Sequence, residues 1–504
     1  MLAIAPFKRI YVALFLSLLF GGFTELRTQE RGGSNPPLLN YNDLVELYAT
    51  DPPAPKLAAK LSKLLTTPFI NNSAGLRPAK SINTTSGTEG NYLRIASWNI
   101  ERGLEFDAVK AALTNDQMFF RHLAPALRSS KYNLARIYEQ AAELNRADII
   151  VLNEVDWGLK RTNYHNVAKE LASALRMNYA FGVEFVEVDP ITLGTETFEG
   201  ETSPEKNQMI KNLGVDKART LGLHGNAIIS RYPLTNVRLV RFVFQGHDWY
   251  ADEKNGVSKL EKGKRTGAGV VFGEKIFREV RRGGRMMLLA DIADKNIPGE
   301  ALTVVATHLE SRAKPAERLK QLNEVLTEIK EIDHPVVLAG DMNTSGTDST
   351  PTSFQREVKE RVGSTSFWAT QGVKYATGVG LLYDATLGLV KMQRMKNDPT
   401  VKSVRFVSEN PEEKFFNVLK DFHFNDGGAF DFRGAKSRST GESEETLSDS
   451  NERASKGFAS TLELTGKFTV DLKLDWIFVK PPHLSDPDDR EQSYIFAPQF
   501  GRSV

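Results

Sequence analysis

His334 to Thr344 reads HPVVLAGDMNT, an apolar run that stops on a carboxylate and an amide. The VVLA segment has the β-branched and aliphatic character of a strand covered on both faces, where parallel strands read as continuous rather than alternating apolar runs. Asp341 and Asn343 follow at its end. An isolated Asx pair after a strand begins a turn, because its side chains bond the local backbone. The question is whether other strands in the chain end in the same way.

They do. Immediately upstream, AERLKQLNEVLTEIKEI (316–332) places Leu319, Leu322, Leu326 and Ile329 on one helical face, and ALTVVATHLES (301–311) is a strand ending on His308. Further back, YLRIASWNI (92–100) is a strand candidate closing on Asn99 and Glu101. The segment YNLARIYEQAAELNRA carries a helical face of Leu134, Ile137, Ala141 and Leu144, and DIIVLNEVDWG (148–158) is a continuous apolar run ending on Glu154. NVAKELASALRM (166–177) predicts a helix and HGNAIISRYPL (224–234) a strand closed by a proline turn. Downstream, LKLDWIFVK (472–480) predicts a strand holding Asp475. This alternation places the chain in the α/β class, and no fixed-period repeat is present.

Composition sets the outer bounds. A chain of 504 residues, 40% of them hydrophobic, supplies a large core. Lys and Arg (65) nearly balance Asp and Glu (63), so the net charge of +2 gives no global attraction for a polyanion. Cysteine is absent, which excludes disulfides, thiolate metal sites and cysteine nucleophiles and leaves oxygen and imidazole as metal ligands. At the N-terminus, FKRIYVALFLSLLFGGF (Phe7 to Phe23) sets Lys8 and Arg9 before an apolar stretch of signal-peptide length. Residues 1–24 are therefore expected to export the protein, as a cleaved signal or a membrane anchor, to a periplasmic, secreted or membrane-anchored location. Residues 25–90 read as a proline- and glycine-punctuated lead-in with a short helix near Pro55 to Leu65, and residues 91–504 as the main domain. Three long polar intervals, 186–222, 245–285 and 433–457, read as insertions, the last a surface loop. The basic cluster GEKIFREVRRGGR (273–285) reads as solvated surface charge, with contact to an anionic substrate as the alternative.

Taken in order, SWNIERG, LNEVDWG, GNAIISRYP, ATHLES, AGDMNT and KLDWIFV resemble the motifs of the endonuclease/exonuclease/phosphatase superfamily, the deoxyribonuclease I-like proteins, over roughly residues 91 to 480. The resemblance implies a four-layer αββα sandwich, two mixed β-sheets packed face to face with helices outside. It also implies metal-dependent hydrolysis of a phosphate ester, with Mg²⁺ or Mn²⁺ as cofactor. By the same resemblance Glu154 matches the metal-binding glutamate, Asn99 the asparagine supporting metal and phosphate, and Glu101 a weaker second carboxylate. Asp341 matches the aspartate that orients or deprotonates the attacking water, Asn343 the asparagine holding a phosphate oxygen, and His308 a histidine near the phosphate. Asp475 matches the aspartate that orients a catalytic histidine.

These residue types suit the chemistry. A carboxylate and amide site fits a hard cation that keeps several waters, an amide supplies a fixed dipole, and an ionised aspartate serves as general base. The resemblance leaves the substrate open among nucleic acid, phospholipid and inositol phosphate, with a phosphodiester favoured and a monomer expected. A catalytically inactive binding or scaffold protein of the same fold is the alternative. Arg161 and His165, just after Glu154, read either as phosphate contacts or as part of an exposed charged loop. Asn226 reads as a substrate contact or as turn chemistry, and FNDGGAFDFRG (424–434) as a pocket border or a tight turn on the core. The family's usual Ser-Asp-His-x-Pro strand, whose histidine Asp475 would orient, is not found: LSDPDD (484–489) has no histidine after it, and the only histidine beyond Asp475 is His483. A sequence that ends short of this strand is the expectation, with divergence to a weakened enzyme the other reading.

Overall fold

The apolar runs become central strands, and the two that end on Glu154 and Asp341 lie in different sheets. The computed structural model describes residues 35–74, 93–123, 141–195, 215–255, 279–344, 413–431 and 474–482, with gaps at 115, 143, 191 and 295–296, and pieces at 134, 138, 403–404, 408–409, 462–464 and 470–472. The strands of the two large sheets are β1 (Phe69–Asn71), β2 (Ile95–Arg102), β3 (Ile149–Trp157), β4 (Asn178–Glu187), β5 (Leu223–Ser230), β6 (Leu234–Arg241), β7 (Arg281–Gly283), β8 (Met286–Ala293), β9 (Ala301–His308), β10 (Val336–Asp341) and β11 (Asp475–Lys480). One sheet has the order β1-β4-β5-β3-β2, with β7 also paired to β4; the other has the order β11-β10-β9-β8-β6. Each is mixed, with β2 parallel to β3 in the first and β9 parallel to β10 in the second.

Side-chain alternation explains the layers. Ile149 and Val151 of β3 join Ala180 and Ile228 in facing Met286, Leu288, Ala290, Val304, Ala306, Val337 and Ala339 of the second sheet, forming the core between the sheets. Ile150 and Leu152 point the other way, into a core shared with α3 (Phe106–Leu113) and α4 (Val167–Leu175). On the far side, α5 (Pro315–Ile329) buries Leu322, Leu326 and Ile329 of its expected face, together with Val325. There it meets Phe415, Phe416 and Leu419 of α6 (Glu413–Asp421), over Leu338, Trp476 and Phe478 of the second sheet. Two sheets face to face with helices outside make the four-layer αββα sandwich.

The lead-in holds its expected helix at Pro55–Thr66 and more structure besides. α1 (Tyr41–Ala49) and α2 (Pro55–Thr66) are helices packed on the first sheet through Leu44, Leu47, Leu57 and Leu64, and β1 adds a strand to that sheet's edge beside β4. The first helix is closed by a capping box, in which the Asp43 backbone N–H donates to Asn40 and the Asn40 N–H to Asp43. Proline punctuation marked turns between these pieces rather than a free linker. Two expected insertions also begin or end inside the fold: β4 runs on to Glu187, while Trp249, Tyr250, Glu279, Val280, Arg281 and Arg285 are buried. The interval 433–457 and the N-terminal segment Phe7 to Phe23 lie outside the described residues. No helix among the described residues is long and apolar enough to cross a membrane. Residues 424–431, the described part of the 424–434 stretch, form a tight turn on the core, with Phe424 and Phe430 buried, Gly427 at φ 86°, and the Phe424 N–H donating to the Gly428 carbonyl.

Register brings the polar strand ends together. Asp341 stands opposite His308 on β9 and opposite Asp475 on β11, and Asn99 of β2 stands opposite Asn153 of β3.

Candidate active site

The first sheet is irregular where the site forms. Pairing of β2 with β3 shifts between Asn99 and Arg102, and pairing of β3 with β5 shifts between Leu152 and Val155. Glu154 (φ 52°), Glu101 (φ 47°) and Arg102 (φ 70°) sit in these interruptions in left-handed backbone. Such a conformation costs a non-glycine residue about 1–3 kcal/mol and gathers at functional sites. Asn153 already points between the sheets, so regular alternation would send Glu154 to the helix-covered face. The bulge turns it back toward Asn99.

Asn99 joins the two sheets. Its Nδ2 donates to Glu154 Oε1 at 3.2 Å and to Asp341 Oδ2 at 2.9 Å, while its Oδ1 accepts from the Glu101 N–H at 3.1 Å. Asp341 is buried, and its Oδ1 accepts from the Asn343 N–H at 2.8 Å. Burial pushes its carboxyl up to about 6, against the Asn343 and Asn99 hydrogen bonds that favour the charged form. Asn343 takes left-handed backbone (φ 48°) and donates its side-chain amide to the Leu309 carbonyl at 2.9 Å.

Asn153 was not singled out from sequence, yet it locks the sheets beneath this cluster. It accepts from the Asp341 N–H at 2.9 Å and donates to the Thr307 carbonyl at 3.0 Å and to Asn226 at 2.9 Å. Its neighbour Gly340 has φ 139°, and a Cβ there would lie 1.9 Å from the Thr307 carbonyl oxygen and 2.9 Å from Asn153 Oδ1. Only glycine permits that approach.

His308 is buried beside Asp341, its Nε2 standing 3.8 Å from Asp341 Oδ2. Its Nδ1 accepts from Arg285 Nη1 at 2.7 Å. Arg285 is itself held by Glu184 and Glu310, each at 3.2 Å, and Trp249 donates its indole N–H to Glu310 at 2.9 Å. Burial, then the Arg285 charge, hold the His308 imidazole well below its ordinary range. Burial raises the Glu184 carboxyl to about 7, opposed by Arg285 and by Asn226, which donates at 3.0 Å.

Arg281 and Arg285 overturn the expectation for the basic cluster. Both are buried, Arg281 paired with Glu187 at 2.8 Å and with Glu279, and both lie over the Phe185 ring. They offset carboxylates inside the fold; desolvated charges persist in pairs. Arg161 and Asn226 likewise bind protein groups. Arg161 donates to Asp156 at 2.6 and 2.9 Å and to Glu187 at 3.1 Å, and Asn226 is fully buried with both ends of its amide bound to protein groups. His165 contacts Glu170 at 2.8 Å, so it too is turned to the protein. Glu279 links this network to the site through Arg102, which meets Glu279 at 2.5 Å and approaches Glu154 Oε2 at 3.8 Å. Asp156 meanwhile contacts the buried His224 at 2.8 Å. His483 lies outside the described residues.

The donors present fit a hard divalent cation. Glu154 Oε2 is buried without a hydrogen-bond partner, the Arg102 guanidinium standing 3.8 Å away, and its Oε1 accepts from the Asn99 amide. Among the described residues no three His, Asp or Glu side chains form a ready cage. Mg²⁺ needs none, since it binds through one or two carboxylates and keeps its waters.

The sequence model of the endonuclease/exonuclease/phosphatase family matches residues 96–489. Similar solved structures include an endonuclease/exonuclease/phosphatase from Beutenbergia cavernae DSM 12333, at 17% identity over 64% of this chain and 62% of that one, with a TM-score of 0.26. The human Nocturnin catalytic domain with bound sulfate anion shares 14% identity over 51% of this chain and 66% of its own, TM-score 0.25. ANGEL2, a 2',3'-cyclic phosphatase, shares 14% over 76% of this chain and 81% of its own, TM-score 0.28. The chain thus spans less than two thirds of the Beutenbergia and Nocturnin chains. No curated protein matches it.

Proposed function

Since the chain belongs to the endonuclease/exonuclease/phosphatase family, we propose that it is a divalent-metal-dependent phosphodiesterase, exported and monomeric, acting on a nucleic acid or a phospholipid in preference to an inositol phosphate. The observation that carries this reading is the Asn99 amide, which donates to Glu154 of one sheet and Asp341 of the other. A single dipole sets the distance between the proposed cation ligand and the proposed water-activating carboxylate.

Glu154 and Asn99 would hold Mg²⁺ or Mn²⁺, which supplies charge neutralisation on the phosphoryl oxygens when bound. The rest falls to side chains of this chain. Water attacks phosphorus, the bond from phosphorus to the leaving oxygen breaks, and Asp341 takes the proton of the attacking water. At neutral pH its carboxyl, raised to about 6, is mostly ionised yet basic enough for this task. Asn343, anchored at the Leu309 carbonyl, and His308 stand beside Asp341 as the groups that meet phosphoryl oxygens.

The reading is tested by incubating the purified chain with a chromogenic phosphodiester and its monoester counterpart, with Mg²⁺ and with chelator. Faster turnover of the diester, abolished by chelator, is expected. Turnover indifferent to chelator would overturn metal dependence, and preference for the monoester would overturn the diester assignment.

A further inference from the structure

His308 meets a cation where a titrating imidazole would be served by a carboxylate. A guanidinium has five N–H donors, no acceptor and no accessible neutral form. The contact of 2.7 Å between Arg285 Nη1 and His308 Nδ1 therefore requires that Nδ1 carry a lone pair and that the ring proton sit on Nε2. We infer that Arg285 is a positioning residue that fixes His308 as the neutral, Nε2-protonated imidazole, so that His308 meets the phosphate as a hydrogen-bond donor and not as a proton shuttle.

The surroundings agree. Glu184 lies 3.7 Å from Nδ1, beyond a hydrogen bond, because Arg285 stands nearer and takes Glu184 for itself at 3.2 Å. The Nε2 side faces Asp341 at 3.8 Å, again longer than a hydrogen bond. The charged and titratable groups around the ring are Arg285 from the link between β7 and β8, Glu184 from β4 and Asp341 from β10, with Arg281 of β7 and His224 of β5 further off. Protonating Nδ1 would set an imidazolium against the Arg285 guanidinium in a buried place, and burial with Arg285 already holds this imidazole well below its ordinary range. A neutral imidazole that polarises an oxygen without giving up its proton is a known catalytic device. It supplies a preorganised donor where charge develops.

This inference rests on the phosphate-ester reading only for the identity of the acceptor; the tautomer stands apart from it. The test is nitrogen-15 NMR of the full chain labelled at histidine, whose eight histidines are few enough to resolve, with His308 assigned from its loss in His308→Gln. The expected spectrum has His308 Nδ1 unprotonated and Nε2 protonated, unchanged from roughly pH 5 to 8, the range in which ordinary histidines titrate. A protonated Nδ1, or an imidazolium forming in that range, would overturn the inference. Arg285→Met alone strands two buried carboxylates, so the companion variant is Glu184→Gln with Arg285→Met, checked for folding by circular dichroism. Loss of the single tautomer and onset of titration are expected in it, and an unaltered His308 spectrum in the folded double variant would remove Arg285 from the role. Saturating inorganic phosphate with Mg²⁺ should move the His308 Nε2–H resonance downfield in the native protein, and no movement would overturn the donor role. A chain with the expected tautomer that hydrolyses no phosphate ester would overturn the functional reading and leave the tautomer intact.

Discussion

At the scale of single residues, the candidate site is built on carboxylates held in a buried place. Asp341 has its carboxyl raised to about 6 by burial. A raised carboxyl contributes stability that is present below its unfolded value near 3.8 and is lost as pH rises through the folded value. Asp341→Asn should therefore raise stability at pH 8 by on the order of 1–3 kcal/mol while removing activity, and the gain should shrink below pH 5. Urea denaturation at both pH values checks this, and a variant less stable than the native protein at pH 8 would contradict it. The rate of hydrolysis should fall as pH drops through about 6, where Asp341 takes up its proton. That Asn99, Glu154, His308 and Asp341 are candidates was legible in sequence because each ends an apolar run, and the structure brings them together. The roles of Arg281 and Arg285 were not, because their partners Glu184, Glu187 and Glu310 lie elsewhere in the chain and only folding brings them together.

At the scale of elements, the strongly patterned pieces came through and the irregular ones did not. The α5 face of Leu322, Leu326 and Ile329 and the continuous runs of β3, β9 and β10 follow directly from periodicity. The bulges that aim Glu154, and the left-handed turns at Glu101, Arg102 and Asn343, leave no periodic trace, because they arise from pairing between strands far apart in sequence. β4 was hidden for a similar reason: NYAFGVEFVE is buried along its whole length, but it interleaves Glu184 and Glu187 with aromatics. Strand β10 carries the sharpest prediction of this scale. Gly340→Ala would press a methyl group onto the Thr307 carbonyl and Asn153, and should cost roughly 2–4 kcal/mol, in the range of backbone strain combined with a lost polar contact. Asn153→Ala should cost about 1–3 kcal/mol by leaving the buried Asp341 N–H unsatisfied. Thermal melts decide both, and a Gly340→Ala protein melting with the native one would show that β9 and β10 do not approach so closely.

At the scale of the whole molecule, the sandwich extends further toward the N-terminus than its proline-rich sequence advertised. Deleting residues 36–74 removes β1 and uncovers the core under Leu44, Leu47 and Leu64, so the shortened chain should lose its cooperative melt. A freely jointed lead-in would leave the melt unchanged. Six ordered motifs made the fold and the outline of the site readable, while the supporting network of Asn153, Glu184, Arg285 and Glu310 emerged only from the packing of one sheet on the other. The central claim is that Glu154, Asn99 and Asp341 form one metal-dependent hydrolytic centre. The most direct test is the Mg²⁺-dependent kcat/KM of the full chain on a chromogenic phosphodiester, beside that of Glu154→Gln. A native rate that exceeds the variant's by about 10²-fold or more, the loss expected when one preorganised electrostatic group is removed, is the predicted result. Equal rates in the two proteins, at saturating Mg²⁺ and with both chains folded, would contradict it.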